Sequence, residues 1–337
     1  MKKKVTMQDI ADKLNISKNS VSQALTGKSG VSDHTRKLVQ QVADELGYKY
    51  QKSRKPQVVN KTGNIGLIAS DFTFSQKSFF GEIYLSVEKE TSSRRMNLLI
   101  QSISSHAKEN LILPPFIENN MIDGIVILSH ISTEYINAVI ATGIPTVLID
   151  HHHPLIQADA VLTNNRLGAY TAVEHLIKLG HKEIGFIGNI HFSPSYEERL
   201  EGYMLALREY GIKPSEDFMI TDIVEKEEEI ATCLSKIEKL PTAWFCANDG
   251  LGFFVNSCMQ YLGKKVPEEV SICSFDNGQL SKIAKPKITT MDIDLHYYGK
   301  KAVEQLFRRI ENRNEPLVEI LLPTKLIKRE STAPCIY

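Results

Sequence analysis

Apolar positions in the first sixty residues recur at helical spacing in three short stretches, each with a recognisable start. Thr6 can serve as an N-cap with Asp9 three residues on, ahead of a stripe formed by Ile10, Ala11 and Leu14. Asn15-Ile16 interrupts the pattern. Ser17 then caps a second helix that buries Val21, Ala24 and Leu25 and stops at Gly27. Ser32 caps a third, with Leu38, Val39, Val42 and Leu46 inward and Gly47 as the stop. Two short helices joined by a turn of about four residues and supported by a third predict a helix-turn-helix.

From Asn64 onward the pattern changes to short apolar runs alternating with amphipathic helices such as Phe79–Arg94 and Gly168–Leu179. The predicted strands form two series. The first is Ile65–Ser70, Leu98–Ser102, Gly124–Leu128 and Pro145–Asp150; the second is Glu183–Gly188, Thr242–Ala247, Val270–Phe275 and Ile288–Met291. Such alternation predicts an α/β chain with two doubly wound subdomains and a cleft between their strand ends, where ligands of these folds bind. Asp71, Asp150, Asn248-Asp249 and Asp276-Asn277 follow predicted strands. Carboxylates and amides converging there suit vicinal hydroxyls, with Phe72, Phe74, Phe192, Tyr196, Trp244 and Phe245 as covers for an apolar ring face. Taken singly, each strand-end Asp or Asn reads better as a helix cap; taken together they read as a ligand site.

Charge separates the two regions. The chain has 337 residues with 40 Lys+Arg and 40 Asp+Glu, but residues 1–61 carry thirteen basic and five acidic side chains, a net of +8. The remainder is −8, so a basic head precedes an acidic body, as expected of a polyanion-binding module joined to something else. The 42% hydrophobic content excludes wholesale disorder. No apolar run has membrane-spanning length, and no apolar segment of signal type follows Lys2-Lys3-Lys4, so a cytoplasmic protein with no membrane partner is expected. The five cysteines lack paired metal-ligand spacing and read as reduced thiols.

On the second helix the exposed positions are Lys18, Asn19, Ser20, Ser22 and Gln23. Lys can donate to guanine, and Asn and Gln can pair bidentately with adenine. Ser17, Ser22, Thr26, Lys28 and Ser32 can supply phosphate contacts, and Thr6 joins the DNA-facing set.

Val5-Thr6-Met7-Gln8-Asp9-Ile10-Ala11, Ile16-Ser17, Ser20–Gly27 and Val31-Ser32…Thr35-Arg36…Ala43…Leu46-Gly47-Tyr48 together resemble the headpiece of the LacI/GalR repressor family. The resemblance implies base reading by Lys18, Asn19 and Gln23; Gln23 stands where arginine is usual, which implies a different preferred half-site. In the linker, Lys49–Lys61, the family's usual alanine and leucine are missing, and Pro56 disfavours helix at Lys55. Two readings stay open there: a basic linker touching phosphates through Arg54 and Lys55, or one in which Val58 or Val59 wedges into the minor groove.

The resemblance continues through Gly143–Asp150, Ile184–Gly188, Glu198-Arg199-Leu200-Glu201-Gly202-Tyr203, Pro241–Asp249, Val270–Asp276 and Ile288-Thr289-Thr290. It implies a core of periplasmic-binding-protein type whose chain crosses between subdomains three times, with effector contacts at Asp150, Arg199, Asn248 and Asp276; the strand-end reading adds Asp71 and Phe72 to the effector set. The expected organisation is a headpiece over 1–48, a linker over 49–62 and a core over 63–337. Within the core, one subdomain takes about 63–161 and 291–320, the other about 162–290 and 321–337. The function implied is a homodimeric repressor on a pseudo-palindromic double-stranded operator, modulated by a saccharide effector and needing no cofactor. Its rivals are the same regulator under a protein co-regulator, or a cytosolic sugar-binding protein or enzyme. His151-His152-His153 cannot all face one metal from an extended strand, and no nucleophile elbow or phosphate loop is present, so neither metal nor catalysis is expected.

Overall fold

The computed structural model describes residues 5–26, 31–46, 48, 62–71, 73, 79–128 and 130–336. It divides into two compact units, Met1–Asn60 and Lys61–Tyr337. Lys28, Arg54, Lys55, Val58, Phe72 and Phe74 lie outside the described residues.

The first unit holds α1 (Met7–Leu14), α2 (Lys18–Thr26) and α3 (Asp33–Glu45). Thr6 and Asp9 form a reciprocal capping box, and Asn15 ends α1 in the left-handed conformation. Ser17 Oγ accepts from Ser20 N at 3.0 Å, and Ser32 Oγ from Thr35 N at 3.2 Å, so each of the other two helices starts on its serine. Ile10, Ala11, Val21, Ala24, Val39, Val42 and Ala43 close the core. Leu38, expected inward, is 38% exposed, and Ala43 takes the inward position instead. The helical stripe there runs through 39, 42 and 43.

The second unit is built on twelve strands. They are β1 (Asn64–Ser70), β2 (Asn97–Ile103), β3 (Gly124–Leu128), β4 (Thr146–Ile149), β5 (Asp159–Thr163), β6 (Ile184–Ile187), β7 (Met219–Ile220), β8 (Ala243–Cys246), β9 (Ser271–Asp276), β10 (Thr289–Asp292), β11 (Glu319–Leu322) and β12 (Lys325–Ile327). The helices, in order, are α4 (Phe80–Ser93), α5 (Ser105–Glu109), α6 (Pro115–Glu118), α7 (Thr133–Ala141), α8 (Asn165–Lys178), α9 (Pro194–Glu209), α10 (Glu227–Leu234), α11 (Asp249–Tyr261), α12 (Gln279–Ile283) and α13 (Leu295–Glu311).

The strands form two sheets, ordered β2-β1-β3-β4-β5-β11 and β7-β6-β8-β9-β10-β12. All pairings are parallel except β10 with β12. In each sheet the order reverses beside the first strand, β1 or β6, which is the doubly wound pattern with its switch point at that place. β3, β4 and β5 are buried along their whole length, as strands covered by helices on both faces must be.

β5, β7, β11 and β12 were not among the predicted strands. β7 is two residues long, β11 and β12 are short edge strands with mixed exposure, and β5 begins on a buried carboxylate that breaks its apolar run. The chain passes between the sheets three times: from β5 to α8, from β10 to α13, and from β11 to β12.

Two close approaches fix the helices around the site. A Cβ on Gly202 would lie 2.1 Å from the carbonyl oxygen of Arg166, so only glycine lets α9 lie against α8. Asp159, fully buried, takes two hydrogen bonds from Arg309 of α13, at 2.6 and 2.9 Å, and one from Val318 N at 2.9 Å. Arg309 also donates to the carbonyls of Glu315 and Pro316 and so holds the approach to β11. Among the described residues, no helix is long and apolar enough to cross a membrane.

Candidate functional site

The carboxyl ends of both sheets face one cleft. A cavity of about 100 Å³ there is lined by Asp150 and His130 from the first lobe and by Tyr196, Arg199, Glu225, Asn248 and Asp276 from the second, among others. Arg199 sits at its base, on α9, and is 2% exposed. Its Nε donates to Asn165 Oδ1 at 2.9 Å, Nη1 donates to the Ala247 carbonyl, and Nη2 lies 3.0 Å from Asp276 Oδ1. The guanidinium is stacked 3.9 Å over the Phe275 ring. This arginine is therefore fixed on every side before any ligand arrives.

The acids around it are only partly satisfied. Asp150 accepts from Ser195 Oγ at 2.9 Å, a bond that joins the two lobes. Burial pushes the Asp150 carboxyl up to about 7 against the opposing pull of Arg199, so near neutral pH it is divided between acid and carboxylate. Burial likewise raises Asp276, again opposed by Arg199. Asp276 Oδ1 faces the guanidinium out of line and has no hydrogen bond, and Glu225 Oε1 is buried with none. Glu225 Oε2 accepts from Asn248 Nδ2 at 2.9 Å, and burial raises this carboxyl too.

Asp150, Asp276, Asn277 and His130 all have positive φ, between 51° and 101°. For side chains other than glycine this backbone costs energy; Asp150, Asp276 and His130 line the cleft, whereas Asn277 turns away to Asp292 and Arg329.

Aromatic rings complete the wall. Phe80, His130, Phe192 and Tyr196 follow one another with centroid separations of 5.8, 4.5 and 6.0 Å, running from the first lobe to the second. Trp244 and Phe245, expected as covers, are fully buried in the core instead, because β8 is a central strand with no exposed face.

Of the strand-end residues, Asp150, Asn248 and Asp276 meet Arg199 here, but Asp71 does not. It is exposed, takes a hydrogen bond from Ser102 Oγ and is absent from the cavity wall. Asn248 also caps α11 through Oδ1, so both readings of it hold together. Asp249 turns inward to Ser274, Thr290 and the Gly278 amide. His130, Ser195 and Glu225 were missed. Glu225 lies in the loop before α10, where no local pattern marks it; a histidine just past a predicted strand, such as His130, was the available signal.

The three histidines divide as extended geometry demands. His152 bridges Glu198 of α9, at 2.9 Å, and Glu319 of β11, at 3.1 Å. Its hydrogen bond to Glu198 raises the imidazole to about 9, so it is charged at neutral pH and ties one lobe to the other. Because the folded value lies above the unfolded one, this stabilisation is complete below about pH 6.5 and is lost as the pH rises through about 9. Core stability should therefore decline between those limits, and His152→Gln should flatten the decline in a urea series at stepped pH. An unchanged slope in the variant would refute the latch.

A larger cavity, about 1050 Å³, lies elsewhere, beside the amino ends of β6, β8 and β9. It brings no set of buried polar groups together and sits at the end of the sheet opposite to that used by ligands of this fold. In the first unit, Lys18 and Asn19 of α2 are exposed, and Ser20, Ser22 and Gln23 are half-exposed.

Comparison with known proteins gives two family matches: residues 6–51 to the bacterial regulatory proteins of the lacI family, and residues 173–332 to a periplasmic binding protein-like domain. The ribose operon repressor of Haemophilus influenzae is 30% identical over 329 residues, covering 97% of this chain and 98% of that one. A LacI family transcriptional regulator from Enterococcus faecium with bound ribose superposes with a TM-score of 0.68 at 27% identity, over 81% of this chain and 99% of that one. The transcriptional regulator CelR in complex with cellobiose superposes with a TM-score of 0.73 at 24% identity, over 97% and 99%.

Proposed function

The chain belongs to the lacI family of bacterial regulatory proteins, and we propose that it is a cytoplasmic, homodimeric repressor whose affinity for a pseudo-palindromic operator is set by a small saccharide bound at Arg199. It is a transcription regulator, not an enzyme, as its relatives are repressors. In this reading residues 1–48 read DNA, 49–62 connect, and the two lobes of the core exchange chain after β5, β10 and β11.

The observation that carries the effector reading is the pair of buried carboxylates with acceptor capacity to spare, Glu225, whose Oε1 accepts no hydrogen bond, and Asp276, whose Oδ1 is held by its ion pair with Arg199 alone. Vicinal hydroxyls supply such donors, and Arg199 and the aromatic row orient the ring. A cavity of about 100 Å³ is well below the roughly 300–1,000 Å³ of larger ligand sites, which favours a single sugar unit over a longer saccharide. Because Asp150 and Ser195 join across the cleft, a ligand between them biases the relative placement of the lobes, and through it the spacing of paired headpieces. A coupling of about 1–3 kcal/mol is the ordinary size of such an effect.

Selection of bound sequences from random duplexes, at fixed salt, should recover a two-fold-symmetric site, and pentoses and hexoses screened on that site should change its affinity. A saccharide that binds the core tightly without altering operator affinity defeats the proposal. Asn19→Ala and Gln23→Ala should each cost about 1–3 kcal/mol at one operator position. Equal losses on operator and random DNA would show that these side chains touch only phosphates.

A further inference from the structure

A second cavity lies beside the first and has the opposite electrical character. It measures about 280 Å³, room for roughly nine waters at about 30 Å³ each. His130, Phe192 and Ser193 belong to both walls, so the two spaces adjoin one another across these side chains. The inner space is ringed by Asp150, Glu225 and Asp276 around Arg199. The outer wall, among the described residues, carries Lys108, His130 and His151 and no carboxylate.

Two helices also begin there: Ser132 heads α7 and Ser193 heads α9. Their first-turn acids face other hollows, Glu134 beside Glu109 and Glu197 beside Glu201. The amino ends of both helices are thus left to act on the outer space. His151 has both ring nitrogens buried and without hydrogen-bond partners. Burial holds His130 and His151 down to about 4, with Lys108 adding to the effect at His130 and the neighbouring His152 and His153 at His151. The site is therefore a set of latent donors under positive potential.

We propose that the outer cavity is an oxyanion subsite, so that the effector is a sugar bearing a phosphate or carboxylate, with its hydroxyls inward and its anion outward. This rests on the cleft being the effector site. The polarity follows from charge alone: the inner carboxylates repel an anion, whereas Lys108, the imidazoles once protonated and the helix ends attract one. Binding an oxyanion would draw protons onto His130 and His151.

The test uses the full chain and inorganic phosphate as probe, with acetate as the carboxylate arm and chloride at matched ionic strength as control. Imidazole resonances of His130 and His151, assigned with His130→Gln and His151→Gln, should move saturably toward the protonated position with phosphate or acetate and not with chloride. Lys108→Gln should weaken that binding about tenfold, the loss expected for one charged contact. Shifts matched by chloride, or unchanged by Lys108→Gln, overturn the subsite.

Operator affinity supplies the second arm. Ribose 5-phosphate should act at lower concentration than ribose, and Lys108→Gln should remove the difference while leaving the response to ribose intact. Equal potency of the two in the unmodified protein also overturns the proposal. If neither sugar acts but phosphate still titrates the histidines, the subsite stands and the saccharide reading of the inner cavity fails.

Discussion

Arg199→Ala should abolish the effector response and destabilise the core by about 3–5 kcal/mol, the usual cost of removing one partner from a buried ion pair. Among the described residues, Arg199 is the one cation on the wall of the inner cavity, where Asp150, Glu225 and Asp276 also converge. Without it, Asp276 loses its ion pair, the Ala247 carbonyl and Asn165 lose a donor, and the Phe275 ring loses its stacked partner. Part of the cost is offset, because acids already raised by burial can take up a proton once the guanidinium is gone. Trp244, the sole tryptophan, is fully buried in the second lobe, so its fluorescence in urea reports the loss directly. Operator binding in the absence of ligand should persist, since the headpiece closes its own core around Ile10, Val21 and Val39. A variant that unfolds at the same urea concentration and still responds to ligand would show that the site is elsewhere.

Asp159→Ala should cost a similar 3–5 kcal/mol while leaving every cleft side chain in place, because it strands Arg309 inside the first lobe. Burial alone would raise the Asp159 carboxyl, but the hydrogen bonds from Arg309 and from Val318 N outweigh it and hold the group below its ordinary value. A depressed carboxyl stabilises the fold at neutral pH, and that contribution disappears as the pH falls below the unfolded value of about 3.9 and through the folded one. The variant should therefore lose stability at pH 7 and show a shallower acid limb. Replacing both partners, Asp159→Leu with Arg309→Met, should recover much of the loss, because an apolar pair has no charge to desolvate. If the double variant is no more stable than Asp159→Ala, the cost lies in the backbone bonds to Val318, Glu315 and Pro316 rather than in the buried charge.

What the sequence disclosed and what it hid follow one division. Local signals were sufficient wherever a residue's role is settled by its near neighbours: Thr6 with Asp9, Ser17 with Ser20 and Ser32 with Thr35 are caps within one turn. The central strands announced themselves as apolar runs because both faces are covered. Asp159 hid β5, since the charge at its head is answered by Arg309 and Val318 N, 150 and 159 positions away. In the cleft, Asp150 and Asp276 were legible from their places at strand ends, and Arg199 from its family motif. Asp71 satisfied the same strand-end rule and yet turns outward, because the rule places a backbone and not the direction of a side chain. Glu225 was invisible, for its partners Asn248 and Tyr196 reach it only once α9 and α11 are assembled.

The third passage of chain between the lobes has a consequence for how the protein is made. β11 and β12, within residues 319–327, close one edge of each sheet. A ribosome adding about 5–20 residues per second needs roughly 15–50 s to travel from the end of the headpiece to that point. Throughout that interval the headpiece has all the residues of its own small core, while both lobes wait for the same last segment. A premature stop before residue 319 would leave two incomplete sheets from the loss of a short tail, and it would release a basic DNA-binding head attached to a core with two open edges.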